Sequence, residues 1–200
     1  MLNTLEVRQL VARAEPGDHA RLGAHFAALA DEYTLEAERH TAMSTGMAGN
    51  PNRRAAAGPN AHCARLAELN TQAAATLREL AAHHERLAAG VPSTVPQDSA
   101  RFESGEGAPE PTDTELAALE AMARIPADHR ALEEYFLTLA SRYTAEAKEH
   151  GAMAQAYRGN ANRRGGDPAV HCDRMVKLSR ESATEARAVA AEHAQLAGLR

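Results

Sequence analysis

The stretch HARLGAHFAALADEYTLEAERHTAMSTGM, residues 19–47, decides the fold of this 200-residue chain. A related stretch, HRALEEYFLTLASRYTAEAKEHGAMAQAY, occupies residues 129–157, a shift of 110 positions (129 − 19). Such self-similarity indicates that one structural unit has been duplicated. In each copy one set of positions steps alternately by three and four residues, which predicts a single buried face, here called the seam, along a long α-helix. The seam residues are His19, Leu22, Phe26, Leu29, Tyr33, Glu36, His40, Met43 and Met47, and then His129, Leu132, Phe136, Leu139, Tyr143, Glu146, His150, Met153 and Tyr157.

A second long helix with a seam of the same kind follows in each copy. The first long helices are expected to end near Gly49 and Gly159, because glycine adopts the left-handed conformation that ends a helix. Proline fits the first position of a helix, so Pro59 and Pro168 predict where the second long helices begin, and these continue to about residues 89 and 198. Their seams are Cys63, Leu66, Asn70, Ala73, Leu77, Leu80, His84 and Leu87, and Cys172, Met175, Ser179, Ser182, Ala186, Val189, His193 and Leu196.

A short amphipathic helix precedes the long helices of each copy. The two short helices are predicted over residues 4–14 and 114–125. Pro16 and Pro126 end them. Asp18 and Asp128 have the short side chain that accepts hydrogen bonds from free backbone amides, so they are the predicted N-caps of the first long helices.

The predicted architecture is all-α. Neither helical hairpin can bury its seam alone, so two tandem hairpins are expected to pack into one antiparallel four-helix bundle. Residues 1–89 form the first repeat and residues 112–200 the second, while residues 90–111, rich in Pro, Ser, Gly and acidic residues, form a flexible linker. The linker is long enough for the two hairpin loops to lie at the same end of the bundle or at opposite ends. The oligomeric state stays open, with a monomer that imitates a dimer as one option.

The composition restricts the classes of function. The chain has no tryptophan and only three phenylalanines, so a helix-prone core of Leu, Ala and Met is expected. The net charge of −5 is spread over intermingled acids and bases, which argues against a nucleic-acid partner. No apolar run approaches the roughly 20 residues of a membrane span, and no signal peptide is recognisable. A soluble, cytoplasmic protein is therefore expected, unless a leader has been removed. Without a nucleophile–base pair or a phosphate loop, a binding protein is favoured over an enzyme.

Histidines and cysteines keep matching places in the two copies. In an antiparallel hairpin, residues at one height have numbers with a constant sum, because both helices rise by about 1.5 Å per residue. A sum of 103 in the first hairpin and 322 in the second predicts the layers. These are His40 with Cys63, Tyr33 with Asn70 and His19 with His84, and then His150 with Cys172, Tyr143 with Ser179 and His129 with His193.

The layers nearest the loops, here called the loop-end clusters, are predicted metal sites. Imidazole, thiolate and thioether ligands suit copper or zinc rather than Mg²⁺ or Ca²⁺, and copper is the first choice because methionine adds little for zinc. The glutamate one turn before the histidine can be a ligand or can orient the ring. Loops at the same end would bring both clusters into one dinuclear site, whereas loops at opposite ends would place each cluster beside the other hairpin's histidine pair. The clusters are Glu36, His40, Met43 and Cys63, and Glu146, His150, Met153 and Cys172.

The histidine pairs at the open ends of the hairpins, His19 with His84 and His129 with His193, are a second predicted site. The alternative is that seam histidines are ordinary hydrogen-bonded core residues. A further matched pair lies about one residue off the seam and supplies either surface groups or extra ligands; it consists of His62 and His171.

The predicted function is metal binding, with copper first and zinc second, for storage, delivery or sensing. One alternative is a haem bundle that uses His84 and His193 as axial ligands. Another is a metal-free helical interaction module whose polar layers fix the register. A di-iron site of the ferritin-like class needs Glu-x-x-His and further glutamates, whereas this chain has Glu-x-x-x-His, so such a site is not predicted.

Overall fold

The computed structural model describes residues 1–48, 58–89, 125–159 and 168–198, together with Leu116 and Ala123. This described part contains five helices and no strand. The helices are α1 (Thr4–Arg13), α2 (Pro16–Ala48), α3 (Gly58–Ala89), α4 (Pro126–Gly159) and α5 (Pro168–Gly198). The predicted linker, both hairpin loops and, except for helical Leu116, most of the second short helix lie outside the described residues.

The first long helix of each copy begins two residues before its predicted cap. Pro16 and Pro126 are the first residues of α2 and α4, which is the position where proline is best tolerated. The prediction that Asp18 and Asp128 are N-caps is therefore wrong. Asp18 instead lies in the first turn, where its carboxylate reaches back to the Glu15 N–H at 3.3 Å, and Asp128 reaches back to the N–H of the residue before Pro126 at 3.4 Å.

Helix α1 has well-defined ends. The side chain of Asn3 accepts from the Glu6 N–H at 3.0 Å, and Glu6 accepts from the Asn3 N–H at 2.8 Å, which is the capping-box arrangement. Ala14 then adopts a left-handed conformation with φ of 54°, which stops the helix.

The long helices pack pairwise within each hairpin, α2 against α3 and α4 against α5. Helix α3 also packs against α5, while α1 contacts α2 and α4. Helices α2 and α4 meet through long side chains such as Arg142 and Glu36. This packing is compatible with a helical bundle. None of the described helices is both long and apolar enough to cross a membrane.

Most of the predicted seam residues are buried, which confirms the periodicity that defined the seams. The seam residue Leu196 is 40% exposed, so its assignment to the core is wrong. The side chain of Met47 lies outside the described residues. Five seam residues are half buried, namely His19, Leu29, Leu87, His129 and Glu146.

The two hairpins lie with their loop ends at opposite ends of the molecule. Tyr157, near the loop end of α4, contacts His84 at the open end of the first hairpin. At the other end, His40 near the loop end of α2 stacks on Phe136 near the start of α4. Of the two arrangements left open by the sequence, the one with a single dinuclear loop-end site is therefore excluded.

Candidate functional site

Each open end of a hairpin brings two histidine rings together. The Nδ1 atoms of His19 and His84 lie 3.1 Å apart, and those of His129 and His193 are also 3.1 Å apart. Both pairs are stacked with ring centroids 5.3 Å apart and interplanar angles of 26° and 27°. The predicted pairing of these rings by height is confirmed, while their binding of a metal stays a prediction.

The His84 ring is held from three sides. It stacks on Phe26 with centroids 5.6 Å apart, it faces His19, and its Nε2 atom lies 2.7 Å from the Tyr157 hydroxyl oxygen. Burial, with the neighbouring His19 and His83, lowers the pKa of His84 to about 3. The ring is therefore neutral at pH 7, which is the form that binds metals.

The end of the molecule that contains His84 is rich in histidine. His25 and His83, which have no histidine counterpart in the second copy, lie at this end. Burial, with the N-terminal amino group nearby, lowers the pKa of His25 to about 4. Burial, followed by the effect of His25, also lowers the pKa of His150 to about 4. We call this region, with His19, His25, His83, His84 and His150, the histidine-rich end.

Three members of the first hairpin's loop-end cluster are fully enclosed. His40, Met43 and Cys63 have no exposed surface. Within the described residues neither ring nitrogen of His40 has a hydrogen-bond partner, and its Nε2 lies 3.4 Å from Glu36 Oε1. Nε2 thus faces the Glu36 carboxylate, and Nδ1 is the ring nitrogen that meets no polar protein atom among the described residues.

The second loop-end cluster is similar but not identical. His150, Met153 and Cys172 are buried, and within the described residues Nδ1 of His150 lacks a hydrogen-bond partner. Burial, and after it the nearby Cys172, raise the pKa of the Tyr157 phenol. Cys63 and Cys172 form no disulfide with each other.

Glu36 is neutralised by arginine. Arg142 of α4 lies 3.0 Å from Glu36 Oε2, and Arg39 donates to the same oxygen at 3.2 Å. Burial would raise the pKa of Glu36, but His40 and the two arginines outweigh burial and hold that pKa at about 2. The carboxylate is thus ionised and already balanced, which weakens the case for it as a metal ligand.

Glu146, the counterpart of Glu36, has a different partner. Its Oε2 accepts a hydrogen bond of 2.5 Å from the Tyr33 hydroxyl, and its Oε1 is 3.6 Å from Arg142 Nε. Burial raises the pKa of Glu146 more than Tyr33 and Arg142 lower it. A cleft of about 330 Å³ between α2 and α4 exposes this group of side chains to solvent, lined by Leu29, Glu32, Tyr33, Leu35, Glu36, Arg39, Arg142 and Glu146.

The tyrosines of the central layers bond across the hairpins. Tyr33 donates to Glu146, and Tyr143 donates to Asn70 Oδ1 at 2.9 Å. The sequence predicted that Tyr33 and Asn70 lie at the same height of one hairpin, and it did not predict these hydrogen bonds between the hairpins. These bonds tie one copy of the repeat to the other.

The off-seam histidines also join the copies. His62 Nδ1 lies 2.5 Å from Glu185 and its Nε2 lies 3.6 Å from Glu192, while His171 Nδ1 is 3.3 Å from Glu79. Both rings are partly exposed and lie on the α3–α5 contact. They are pairing groups between the hairpins, rather than members of the histidine pairs.

His84 and His193 lie too far apart to hold one haem. His84 contacts Tyr157, whereas His193 contacts His129. The two contact points are 28 residues apart (157 − 129) on α4, or about 42 Å along the helix axis at about 1.5 Å per residue. The predicted axial pair is therefore not supported.

Over the described ranges, no group of three or more His, Cys, Asp or Glu side chains is arranged so that it could hold a metal ion. Within these ranges each histidine pair thus brings together two ring nitrogens, without a third His, Cys, Asp or Glu side chain in a metal-binding arrangement. The sequence-based prediction missed Arg142, whose counterpart is Glu32, and the contact made by Tyr157, whose counterpart is Met47. No family model matches the chain, and no curated protein or solved structure shows significant similarity to it.

Proposed function

We propose that this protein is a metal-binding antiparallel four-helix bundle that uses its two histidine pairs as metal sites. Copper is the first choice of metal and zinc the second. The role is storage, delivery or sensing rather than turnover. The observation that carries the proposal is the repeated 3.1 Å distance between Nδ1 atoms, in His19 with His84 and in His129 with His193.

The distance between the nitrogens fits two ligands of one ion. With metal–nitrogen bonds of about 2.0–2.1 Å, nitrogens 3.1 Å apart subtend roughly 100° at the metal. This angle lies between the square-planar and tetrahedral values, so both Cu(II) and Zn(II) are compatible with it. The half-buried position of His19 and His129 leaves space for water or another donor to complete the coordination.

The protonation state of the first pair supports the same function. Burial lowers the pKa values of both His19 and His84, so both rings are neutral at physiological pH. Metal binding then does not compete with protons. Among N and O ligands, Cu(II) binds more tightly than Zn(II), which is why copper comes first.

The loop-end clusters rank below the histidine pairs as proposed ligand sets. Glu36 is balanced by Arg142 and Glu146 accepts from Tyr33, so neither carboxylate needs a metal. His40 remains the strongest member of these clusters, because its Nδ1 meets no hydrogen-bond partner among the described residues and the ring is buried, as are Met43 and Cys63. We propose it, with Met43 and Cys63, as a second soft site for Cu(I).

Metal titration tests the proposal directly. Metal-free protein is titrated with Cu(II), with Cu(I) against a competing chelator and with Zn(II), and compared with His19→Ala/His129→Ala. The wild type should bind about two equivalents of Cu(II) or Zn(II) with submicromolar Kd, and the double variant should lose both. Cu(I) that the double variant still binds would be assigned to the His40 site. His62→Ala/His171→Ala is the matched control, because it removes two matched histidines outside the pairs. Absence of submicromolar binding by the wild type, or full binding by His19→Ala/His129→Ala, would overturn the proposal.

A metal-free interaction module is the second candidate, and the bonds across the hairpins favour it. Tyr33 to Glu146 and Tyr143 to Asn70 are buried polar contacts that fix how the two copies face each other. For this candidate the wild type should bind no metal. A Tyr33→Phe/Tyr143→Phe variant should then lose the single well-resolved set of NMR signals before it loses helix content.

A further inference from the structure

We propose that a groove on the surface of the second hairpin binds the phosphate group of a small molecule. The groove lies between α4 and α5 and has a volume of about 470 Å³. Its lining consists of Ser141, Thr144, Ala145, Lys148, Glu149 and Arg187. Two of these side chains are cationic, two carry a hydroxyl group and one is anionic. None of them belongs to the histidine pairs, so the groove is separate from the proposed metal sites.

A matching groove of about 420 Å³ lies between α2 and α3 of the first hairpin. In this first groove Arg78 donates to the Thr34 hydroxyl at 2.7 Å. In the second groove Arg187 donates to the Thr144 hydroxyl at 2.9 Å and to the Ala183 carbonyl at 3.4 Å. The two hydrogen bonds hold the Arg187 guanidinium at the groove. An arginine that is already held in place loses less side-chain freedom when it binds an anion.

The charges around the two arginines differ. In the first groove Asp31 Oδ1 lies 3.6 Å from Arg78 Nη2, so the chain itself supplies an anion to that guanidinium. The residue that matches Asp31 in the second copy is Ser141. Glu38, which lines the first groove, is matched by Lys148 in the second. Two acids of the first groove thus correspond to a hydroxyl group and an ammonium group in the second.

An oxyanion in the second groove would take the place that the Asp31 carboxylate has in the first. The Arg187 guanidinium has N–H donors beyond the two that bond to Thr144 and Ala183. Lys148 and Ser141 line the same groove and add an ammonium group and a hydroxyl group. A tetrahedral phosphate group has oxygens on several sides, so it can accept from all three donors at once, whereas a carboxylate has two oxygens in one plane.

Glu149 opposes the anion, because its carboxylate lines the same groove. The side chains of Lys148, Glu149 and Arg187 are exposed, so water weakens both the attraction and the repulsion. We therefore expect weak binding, with a Kd on the order of 1 mM.

Phosphate titration of the whole metal-free chain tests the proposal, with the first groove as an internal control. Backbone amide shifts are followed by NMR at constant ionic strength, with inorganic phosphate and, separately, glycerol phosphate as the probes. The amides of residues 141–149 and 183–187 should shift saturably, and those of residues 31–39 and 74–78 should not. Tighter binding of glycerol phosphate would identify a phosphate ester as the ligand, and equal or weaker binding would identify free phosphate.

Exchanging the charges between the grooves sharpens the test. Ser141→Asp/Lys148→Glu gives the second groove the charges of the first. It should weaken phosphate binding by at least about tenfold, because two carboxylates then repel the anion. Asp31→Ser/Glu38→Lys makes the opposite exchange and should produce saturable shifts in the first groove. All four side chains are exposed, so both variants should keep the fold.

Removing the acid that lines the groove should strengthen binding. Glu149→Gln should lower the Kd for phosphate by about two- to fivefold. Glu134→Gln is the matched control, because it removes another exposed acid of α4 that does not line the groove, and it should leave the Kd unchanged. Equal shifts in both grooves, unchanged binding by Ser141→Asp/Lys148→Glu, or equal effects of the two glutamate substitutions would overturn the proposal.

Discussion

Glu36 and Glu146 occupy the same position in the two copies of the repeat, and their surroundings favour opposite ionisation states. Arg142 and Arg39 hold Glu36 as a carboxylate with a pKa of about 2. Burial raises the pKa of Glu146, and the Tyr33 hydroxyl is its hydrogen-bond donor. One sequence motif thus gives an ionised group in one copy and a group that resists ionisation in the other.

The difference arises from residues outside the motif. Arg142 occupies the position that Glu32 occupies in the first copy. Of these two matched residues, only Arg142 brings a positive charge to the cleft between α2 and α4. The ends of the molecule differ for the same reason, because His25 and His83 are matched by Tyr135 and Glu192 in the second copy. A duplicated helix pair therefore does not produce duplicated surroundings, since Glu36 and Glu146 each contact side chains of the other copy.

The largest expected effect is a loss of stability in acid, which originates at the histidine-rich end. In metal-free protein, lowering the pH from 7.5 to 5.0 should reduce the free energy of unfolding by about 2 kcal/mol for each of His84 and His150. Their folded pKa values of about 3 and 4 lie below the unfolded value of about 6.5. The unfolded chain binds the extra protons, so the stability that is present above pH 6.5 falls as the pH falls. Urea titrations at both pH values measure the loss.

The variant His150→Leu tests the source of that acid sensitivity. Its free energy of unfolding should fall by about 2 kcal/mol less than that of the wild type between pH 7.5 and 5.0. In wild-type protein at pH 5.0, the backbone amides near residues 19–26 and 80–86, at the histidine-rich end, should be the first to lose protection from hydrogen exchange. Identical pH dependence in variant and wild type, or first loss at the opposite end, would contradict the assignment.

The next largest effect is expected from a substitution that removes Arg142, the arginine that distinguishes the two glutamates. Arg142→Met should destabilise the fold by about 3 kcal/mol, because it removes the arginine of the other copy that pairs with the buried Glu36 carboxylate. Arg39, His40 and the Tyr135 hydroxyl remain beside that carboxylate. We expect a loss in the lower part of the range that is usual for a broken buried ion pair, because the Arg142 side chain is 40% exposed. Urea unfolding at pH 7 measures the loss.

Arg130→Met is the control for Arg142→Met. It removes an exposed arginine from the same helix and should change stability by less than about 0.5 kcal/mol. Equal effects of the two variants would mean that Arg142 acts only through the general charge of α4. The distinction between Glu36 and Glu146 would then need another cause.

A smaller effect separates the glutamates themselves. Glu36→Gln should cost about 2 kcal/mol at pH 7, because a neutral amide replaces the anion that Arg142 and Arg39 balance. Glu146→Gln should cost less than about 1 kcal/mol or stabilise slightly, since glutamine resembles the protonated acid and still accepts from Tyr33.

The pH dependence of these two variants should have opposite signs. The lowered pKa of Glu36 gives stability that is present above about pH 4.5 and lost toward pH 2, so the cost of Glu36→Gln should shrink in acid. The raised pKa of Glu146 gives stability below its unfolded pKa that is lost as the pH rises through the folded value. The stability of the Glu146→Gln variant should therefore increase relative to that of the wild type as the pH rises. If the stabilities of the two variants changed with pH in the same way, the opposite pKa shifts of Glu36 and Glu146 would be contradicted.

The sequence predicted what one hairpin determines by itself. The steps of three and four residues located the buried faces, and the constant sum placed His19 beside His84 and His129 beside His193. It did not predict that Tyr143 bonds to Asn70, because a constant sum relates two helices of one hairpin. It contains no information on how the hairpins face each other, which depends on side-chain packing between the copies.

Part of the missing information was present as differences between the copies. Comparing matched positions shows Glu32 against Arg142 and Met47 against Tyr157, and both second-copy residues complete a site in the structure. Positions that kept their residue identified the elements, and positions that changed identified where the copies meet. The distances and partners still required the three-dimensional arrangement.

The smallest expected effect concerns a contact that is the same in both copies. Arg78 donates to the Thr34 hydroxyl at 2.7 Å, and Arg187 donates to the Thr144 hydroxyl at 2.9 Å, so each contact joins the two helices of one hairpin. Both arginines are exposed. Arg78→Ala and Arg187→Ala should each lower the free energy of unfolding by at most about 0.5 kcal/mol, because exposed polar contacts exchange readily with water.

The two values should also agree within error in parallel urea titrations, because neither contact involves the other copy. A difference above about 1 kcal/mol would show that the copies diverge inside their hairpins as well as between them. Equal values beside unequal effects of Glu36→Gln and Glu146→Gln would locate the asymmetry at the surface where the copies meet. The two hairpins would then be the same frame on both sides of that surface.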